Sequence, residues 1–305
     1  MIFNSILEVI GHTPIVRLNR VAGDCPAKII AKLEMLNPTG SAKARSAWGM
    51  IQAAEKAGIL KPGGLIVEPT SGNQGIALAM VGAVRGYRVI LVMPETMSIE
   101  RKKLMEAFGA EVILTPAAED LSGAVRKARE LAASIPGAWM PDQFSNPTNP
   151  AYHERTTGQE ILEQLEGPID AFVAGVGTGG TLTGAARALK KRFPEVQIYA
   201  VEPASSAVIG GGPPGHHKIQ GIGDGFIPGN LDRALLNGAI PVSDDEAFAM
   251  ARRLAREEGI LAGISSGAAV AGAIKVGEQL GPGTTVLTIL PDTGERYLST
   301  ALFAE

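Results

Sequence analysis

Glycine and threonine residues that could hold a phosphate group are clustered at positions 175–181. A short apolar run leads into this cluster, and a segment of helical period follows it. Glycine lets bare backbone approach an anion, threonine adds hydroxyl donors, and the start of the next helix favours negative charge. The spacing matches neither a Walker loop nor G-x-G-x-x-G, so the predicted ligand is phosphorylated without having to be a nucleotide. The alternative is that these glycines only close a tight turn between a strand and a helix.

A lysine that could act as a nucleophile follows the turn-forming residues 37–40. Lys43 lies in the first turns of a predicted helix at 41–57, where the positive field of the helix start favours a neutral amine. Such an amine can form a Schiff base. Since most lysines are solvated, Lys43 taken alone would be a surface residue, and its significance depends on the other loops.

Two further loops place polar groups at predicted helix starts. Thr70, Ser71 and Asn73 follow a predicted strand, and their hydroxyl and N–H groups could form a carboxylate-binding nest, with the Asn73 amide free to bond a ring hydroxyl. Ser265 and Ser266 stand at another helix start. In both loops, a capped helix without any ligand would also explain these residue types.

Apolar, β-branched runs alternate with longer segments of helical period along the whole chain. This alternation predicts an α/β fold in which helices cover mainly parallel sheets and ligands bind at the carboxyl ends of the strands. The predicted strands are 28–33, 64–67, 89–92, 112–114, 171–173, 197–201 and 285–290. The predicted helices are 41–57, 74–85, 99–108, 121–133, 151–165, 181–192, 244–258 and 266–279.

The chain length of 305 residues predicts two domains. The Pro/Gly-rich segment 142–150 is the predicted linker. We therefore expect an N-terminal domain at 1–145, which carries Lys43 and the carboxylate-binding loop, and a C-terminal domain at 146–305, which carries the phosphate-binding loop. Packing of the first 35 or so residues on the other domain stays open as an alternative.

Composition points to small molecules as ligands. The net charge is -3 and the chain has no run of like charge, so no basic patch is predicted that would bind nucleic acid. The apolar runs are far shorter than the ~20 residues that a membrane span needs. We expect neither nucleic acid nor a membrane as partner. Cys25 is the single cysteine and the first residues do not form a secretory signal, which predicts a cytoplasmic protein. The four histidines lack metal-ligand spacing, so no metal is predicted.

Four motifs in order along the chain resemble those of the cysteine synthases, in the fold-type II pyridoxal-phosphate family that also includes cystathionine β-synthase. They are Asn-Pro-x-x-Ser-x-Lys at 37–43, Thr-Ser-Gly-Asn at 70–73, Gly-Thr-Gly-Gly-Thr at 177–181 and Gly-Ile-Ser-Ser-Gly-Ala at 263–268. Weaker matches at 143–150, 221–228 and 290–299 extend the similarity nearly end to end. The resemblance implies two doubly wound α/β domains of the tryptophan synthase β type and a pyridoxal 5'-phosphate cofactor. It also implies a homodimer, with the tail of a serine acetyltransferase as a further partner.

The resemblance also implies a role for each matched residue. Lys43 would form the internal aldimine, Asn73 would bond the ring hydroxyl, and Ser265 would face the pyridine nitrogen. The phosphate would be held by Gly177, Thr178, Gly179, Gly180 and Thr181. The amino-acid substrate would be bound by Thr70, Ser71, Asn73, Gln74, Gln143, Gly223 and Asp224.

The activity that follows from the resemblance is a step of cysteine biosynthesis. O-acetyl-L-serine and sulfide would give L-cysteine and acetate by β-replacement, through an aminoacrylate intermediate. A neutral hydroxyl at the pyridine nitrogen, as Ser265 would supply, makes a weaker electron sink than a carboxylate and so favours loss of the β-substituent over transamination. The alternatives are a cystathionine β-synthase that takes homocysteine, a serine/threonine dehydratase, and a non-catalytic pyridoxal-phosphate-binding protein.

Three positions depart from the usual pattern of this family. Ala44 stands where an acidic residue usually follows the lysine, and Gln74 stands where threonine is common. Asp224 occupies a position near the substrate entrance that is often small and neutral. A carboxylate there would repel an anionic leaving group, which favours O-acetylserine over O-phosphoserine. The alternative is that Asp224 only caps the adjacent turn.

Overall fold

Two sheets with helices packed against them form the protein. The structure, a computed structural model, describes residues 2–303. Its strands are β1 (Ile15–Arg17), β2 (Lys28–Leu33), β3 (Leu65–Pro69), β4 (Arg88–Pro94), β5 (Glu111–Thr115), β6 (Ala138–Trp139), β7 (Ala171–Gly175), β8 (Gln197–Pro203), β9 (Gly238–Val242) and β10 (Thr285–Leu290). Its α-helices are α1 (Lys43–Lys56), α2 (Asn73–Arg85), α3 (Ile99–Ala107), α4 (Asp120–Ser134), α5 (Thr148–His153), α6 (Gln159–Gln164), α7 (Gly180–Arg192), α8 (Asp244–Arg253) and α9 (Ile264–Leu280).

Parallel pairing dominates both sheets, which confirms the predicted α/β class. In the part of the chain that the structure describes, the larger sheet has the order β1-β2-β10-β7-β8-β9 and the smaller has the order β5-β4-β3-β6. Strand β1 pairs antiparallel with β2, and the other pairs are parallel. The N-terminal strands β1 and β2 thus lie in the larger sheet, while the domain boundaries at 145 and 146 stay a prediction.

Strand β10 lies between β2 and β7 and pairs with both. Leu290 is opposite Leu33 of β2, and Thr288 is opposite Val173 of β7. Because all three strands run in the same direction, the chain segments that follow them leave the sheet at one edge. This edge brings together segments that are far apart in sequence.

The smaller sheet shows why its strands read as continuous apolar runs. Alternate residues of a strand point to opposite faces, and here both faces are covered. Ile66 and Leu91 pack into the core on one face, whereas Val67 and Ile90 pack into the core on the other. A sheet covered on both sides requires apolar side chains at every position.

The main departures from the predicted elements concern short strands and helix continuity. Strands β1, β6 and β9 were not predicted, and the predicted helix 151–165 is instead α5, a π-helical turn (Glu154–Gly158) and α6. The predicted helix 244–258 likewise ends as α8 and continues as a π-helical turn (Leu254–Glu258). Among residues 2–303, no helix is both long and apolar enough to cross a membrane.

A buried cluster of charges fixes the helix that begins at Lys43. Arg45 donates through Nε to Glu34 Oε2 at 2.7 Å and through Nη1 to Glu160 Oε1 at 2.6 Å. Lys32 Nζ lies 3.1 Å from Glu160 Oε2. Burial alone would raise the pKa of Glu34, but the Arg45 guanidinium and the bond from Thr13 outweigh it and lower that pKa to about 2. The cluster joins α1 to the end of β2 and to α6.

We expect Arg45→Met to lower the free energy of unfolding by about 3–5 kcal/mol, because it leaves Glu34 charged, buried and unpaired. Arg85→Met is the matched control. Its ion pair with Glu55 has a guanidinium side chain that is 45% exposed, and such pairs contribute only about 0–1 kcal/mol. Urea titration monitored by circular dichroism measures both variants.

Acid should reduce the difference in the free energy of unfolding between Arg45→Met and the unaltered protein. A carboxyl whose pKa is lowered by folding stabilises the folded state above its unfolded pKa and loses that effect as the pH falls toward its folded pKa. For Glu34 this window runs from 4.5 to about 2. Equal losses for Arg45→Met and Arg85→Met at neutral pH would contradict a stabilising role for the cluster.

Candidate active site

One cavity is lined by residues from all four loops that were predicted to carry chemistry. From the predicted set, the cavity lining contains Lys43, Thr70, Ser71, Asn73, Gln74, Gln143, Gly177, Thr178, Gly179, Thr181, Asp224 and Ser265. Two predicted residues do not line it. Gly180 is buried as the first residue of α7, and Gly223 lines a neighbouring pocket that also includes Asp224.

Lys43 is the first residue of α1, as its predicted place at a helix start requires. Burial lowers the pKa of its amine, although the carboxylates of Asp224 and Asp292 act in the opposite direction. An amine with a lowered pKa is more often neutral at physiological pH and can therefore act as a nucleophile or accept a proton. The acidic neighbours that act on Lys43 come from distant parts of the chain, while position 44 is a buried alanine.

The glycine-threonine loop at 177–181 forms a concave backbone surface at the start of α7. Gly179 has φ +81°, a conformation that favours glycine, and a Cβ at Gly177 would overlap the carbonyl oxygen of Gly221. Both positions therefore require the absence of a side chain. The N–H groups at this helix start, together with its dipole, make the loop suited to bind an anion.

Two buried side chains hold the hydroxyls of this loop. Asn149 donates through Nδ2 to Thr178 Oγ1 at 3.1 Å and to the Gln143 carbonyl at 2.9 Å. His153 contacts Thr181 Oγ1 through Nε2 at 3.3 Å and Thr157 Oγ1 through Nδ1 at 2.8 Å. Burial, with the charge of Arg45, lowers the pKa of His153 to about 3, so the ring is neutral near pH 7. Asn149 and His153 thus fix the orientation of the Thr178 and Thr181 hydroxyls.

The loop at 70–74 is organised by the Thr70 hydroxyl, which accepts the N–H groups of Gly72 at 2.9 Å and Gly75 at 3.1 Å. Gln74 accepts a bond from the Ser46 hydroxyl at its Oε1, at 2.8 Å. Its Nε2 is buried and has no hydrogen-bond partner among the described residues. The amide of Gln74 therefore has donor capacity that a bound carboxylate could use.

Asn73 is held at both ends of its side-chain amide. Its Nδ2 donates to Asp292 Oδ2 at 2.7 Å, and its Oδ1 accepts from Arg296 Nη1. Tyr297 also donates to Asp292 Oδ2, at 2.7 Å. One N–H of Asn73 remains to bond a ligand in the cavity.

The other predicted residues occupy different walls of the cavity. Ser265 is buried near the start of α9, and the Gln143 amide lies 3.4 Å from the Pro69 carbonyl. Gly223 has φ +74°, donates to the Val176 carbonyl at 3.1 Å and accepts from His217 Nε2 at 2.7 Å. Gly223 thus shapes the backbone beside Asp224. Among the side chains that the structure describes, which exclude that of Asp120, no cluster of His, Cys, Asp and Glu could hold a metal ion.

Five residues that support the site were given no role from the sequence. They are Asn149, His153, Asp292, Arg296 and Tyr297. All but His153 lie within the weaker motif matches at 143–150 and 290–299, which was the available signal. His153 follows the first of these motifs by three residues and carries no local signal of its own.

Comparison with known families gives one match over nearly the whole chain. A family model described as "Pyridoxal-phosphate dependent enzyme" matches residues 6–292. The match includes the loops of Lys43, Asn73, Gly177 and Ser265. It extends as far as Asp292.

Individual relatives are similar over almost their full length. The chain is 54% identical to a cysteine synthase of Staphylococcus aureus over 302 residues, which cover 99% of this chain and 97% of the relative. The solved structure of a cysteine synthase from Entamoeba histolytica is similar with a TM-score of 0.95 and 44% identity, covering 99% of this chain and 91% of that one. An O-acetylserine-dependent cystathionine β-synthase from Helicobacter pylori has a TM-score of 0.94 and 44% identity, with complete coverage of both chains.

We expect Gly177→Ala to weaken the binding of pyridoxal phosphate at least about tenfold, because the added methyl overlaps the Gly221 carbonyl and displaces backbone that would contact the phosphate. Gly229→Ala is the matched control, since its Cβ would lie no closer than 3.5 Å to any neighbour. Equilibrium dialysis gives the dissociation constants.

Pyridoxal without the phosphate serves as the second ligand in this experiment. Its affinity should change little in Gly177→Ala, because the loop would contact only the phosphate. An equal loss for both ligands would show that the substitution perturbs the whole cavity and would argue against a phosphate-binding role for the loop.

Proposed function

Because the chain belongs to the family of pyridoxal-phosphate-dependent enzymes, we propose that it converts O-acetyl-L-serine and sulfide to L-cysteine and acetate. The observation that carries this proposal is the single cavity shared by Lys43, the glycine-threonine loop and the loop at 70–74. An amine, an anion-binding loop and a carboxylate-binding loop are what a phosphorylated aldehyde and an amino acid need together.

The residues present fit pyridoxal phosphate as the cofactor. A side chain at Gly177 or Gly179 would overlap the backbone of Gly221 or Leu231, so the loop has to stay bare, and the N–H groups at the start of α7 suit a phosphate. The amine of Lys43, with its lowered pKa, lies in the same cavity and would carry the aldehyde carbon. When bound, the coenzyme supplies an electron sink for the electrons released at the α-carbon of the substrate.

Lys43 would act as the base in this reaction. With the substrate bound, Lys43 Nζ would accept the α-proton. Its lowered pKa increases the fraction of neutral amine that can do so. The same nitrogen can later return a proton to the α-carbon when the product forms.

The loop at 70–74 would bind the substrate carboxylate. The start of α2 supplies N–H groups, and the Gln74 Nε2 has donor capacity that is not used within the described structure. Ser71 also lines the cavity. Donors fixed in this way hold the amino acid so that its α-proton faces Lys43.

Two further residues would direct the chemistry. Ser265 would face the pyridine nitrogen of the cofactor, where a neutral hydroxyl favours loss of the β-substituent. Asp224 lines the cavity and acts electrostatically on Lys43, so its charge reaches the reacting groups. A carboxylate at this place would disfavour a phosphate leaving group more than an acetate one.

A second candidate activity is cystathionine formation from O-acetylserine and homocysteine. It is favoured by the similarity to the Helicobacter pylori enzyme, which covers the whole of both chains. The two activities differ only in the thiol that attacks. We place cysteine synthesis first because the cysteine synthase of Staphylococcus aureus is 54% identical to this chain, whereas the Helicobacter pylori enzyme is 44% identical.

The cellular setting is part of the proposal. The relationship to cysteine synthases supports a cytoplasmic homodimer that could receive the tail of a serine acetyltransferase.

We expect Lys43→Ala to lower the rate of cysteine formation from O-acetylserine and sulfide by at least about a thousandfold, since loss of a general base alone costs about 10²–10⁴. Lys56→Ala, an exposed lysine at the other end of α1, is the matched control and should keep the full rate. A colorimetric assay for cysteine measures both.

Replacing sulfide with homocysteine, and measuring the acetate that both reactions release, separates the two candidate activities. Faster thiol addition with homocysteine would reverse their order. Substantial turnover by Lys43→Ala with either thiol would overturn the role proposed for this lysine.

We expect kcat/KM to be higher for O-acetylserine than for O-phosphoserine, and Asp224→Asn to narrow this preference by about tenfold, because it removes one charge of repulsion. Asp24→Asn, which changes an exposed carboxylate outside the cavity lining, should leave the preference unchanged. Steady-state kinetics with both donors provides the measurement. A preference for O-phosphoserine in the unaltered enzyme would contradict the role given to Asp224.

A further inference from the structure

The segment 291–297, which we call the C-terminal strap, runs between the loop of Lys43 and the loop that precedes α9. It follows β10 directly. The Ala42 N–H donates to the Pro291 carbonyl at 2.8 Å, and the Thr293 N–H donates to the Gly40 carbonyl at 3.0 Å. On the other side, the Gly263 N–H donates to the Asp292 carbonyl at 3.0 Å. The backbone at Asp292 is therefore fixed between two loops of the cavity.

The side chain of Asp292 is buried beside Asn73 and Lys43. Its Oδ2 accepts bonds from Asn73 Nδ2 and Tyr297 Oη, both at 2.7 Å. Its Oδ1 is buried without a hydrogen-bond partner in the described structure. A buried carboxylate is costly unless a cation lies near it, and the Arg296 guanidinium supplies positive charge here. A neutral residue would avoid that cost, so stability alone does not account for an acid at this position.

The amide of Asn73 has only one orientation that satisfies its neighbours. A carboxylate can only accept, so Asp292 must face the Nδ2 end, and a guanidinium can only donate, so Arg296 must face the Oδ1 end. If the amide were rotated by 180°, its oxygen would face the Asp292 carboxylate, which is also an acceptor. Its NH₂ group would face the Arg296 guanidinium, which is also a donor. The second N–H of Nδ2 is therefore always available as a donor.

We propose that Asp292 is a positioning residue that, with Arg296, locks the Asn73 amide so that a N–H group faces the ring oxygen of the coenzyme. This inference rests on the proposed function and on the role that the family resemblance implies for Asn73, which is a bond to that oxygen. The charged acceptor also polarises the amide, because hydrogen bonds to ionised groups are roughly twice as strong as neutral ones. Asp292 thus acts on the coenzyme through Asn73.

Asp292→Asn keeps the size of the side chain but lets either end of the new amide face Asn73. We expect the dissociation constant for pyridoxal phosphate to rise about tenfold, as for a lost hydrogen bond to a charged group. We also expect the visible absorption band of the bound coenzyme to weaken in favour of a near-ultraviolet band, because the ring oxygen loses its fixed donor. Tyr297→Phe is the matched control, since it removes the other bond to Asp292 Oδ2 and leaves Asn73 held; its spectrum should not change.

A double-mutant cycle tests whether Asp292 acts through Asn73. In an Asn73→Ala background, Asp292→Asn should change the dissociation constant less than twofold. An equal loss in both backgrounds, or an unchanged spectrum in Asp292→Asn, would overturn the proposal. If Asp292→Asn does not fold, Arg296→Lys takes its place in the same cycle, with the same two outcomes.

This experiment measures coenzyme binding and absorbance without any amino acid or thiol. If the protein binds the coenzyme but does not catalyse the proposed reaction, the double-mutant cycle can still be measured and interpreted. Failure of the cycle in an enzyme that makes cysteine would overturn only the role of Asp292.

Discussion

The insertion of β10 between β2 and β7 is the constraint on which the site depends. Strand β2 leads to the loop of Lys43, β7 leads to the glycine-threonine loop at 177–181, and β10 leads to the C-terminal strap. Parallel pairing makes all three segments leave the sheet at one edge. The smaller sheet contributes the loop of Asn73 through β3, and the strap contacts that loop through Asp292 and Arg296. The cavity is thus assembled by strand order.

The buried charges near the cavity are paired to different extents. In the cluster of Arg45, Glu34 and Glu160, the charges are paired with one another, and these bonds fix the position of α1. Asp292 is only partly paired and lies closer to the reacting groups. His153 is kept neutral by burial and the charge of Arg45, so it can orient Thr181 without adding a charge to the glycine-threonine loop. The paired charges of the cluster stabilise the fold, while Asp292, with one oxygen unpartnered in the described structure, acts on Lys43.

Much of the fold could be predicted because its signals are local. The run 28–33 is β2 to the residue, and the capped start of α8 at Ser243 follows from its neighbouring acids. Strand β9 was missed because Gly238 and Pro241 weaken a strand pattern, although edge position permits both. In the candidate site, the sequence allowed us to predict those residues that lie in a motif near the start of a helix. The contact of Asn73 with Asp292 spans 219 residues, and no local pattern predicts such a pair.

The place of β10 also has a consequence for how this protein matures during synthesis. Strands β2 and β7 are both made before their shared neighbour, which is formed by residues 285–290. A nascent chain still lacking those residues has a gap in the middle of its larger sheet, and closing it brings together partners with very large sequence separation, which is slow. The cavity at this edge of the sheet is therefore complete only when β10 is in place, and a fragment that ends before residue 285 lacks both the central strand and the C-terminal strap.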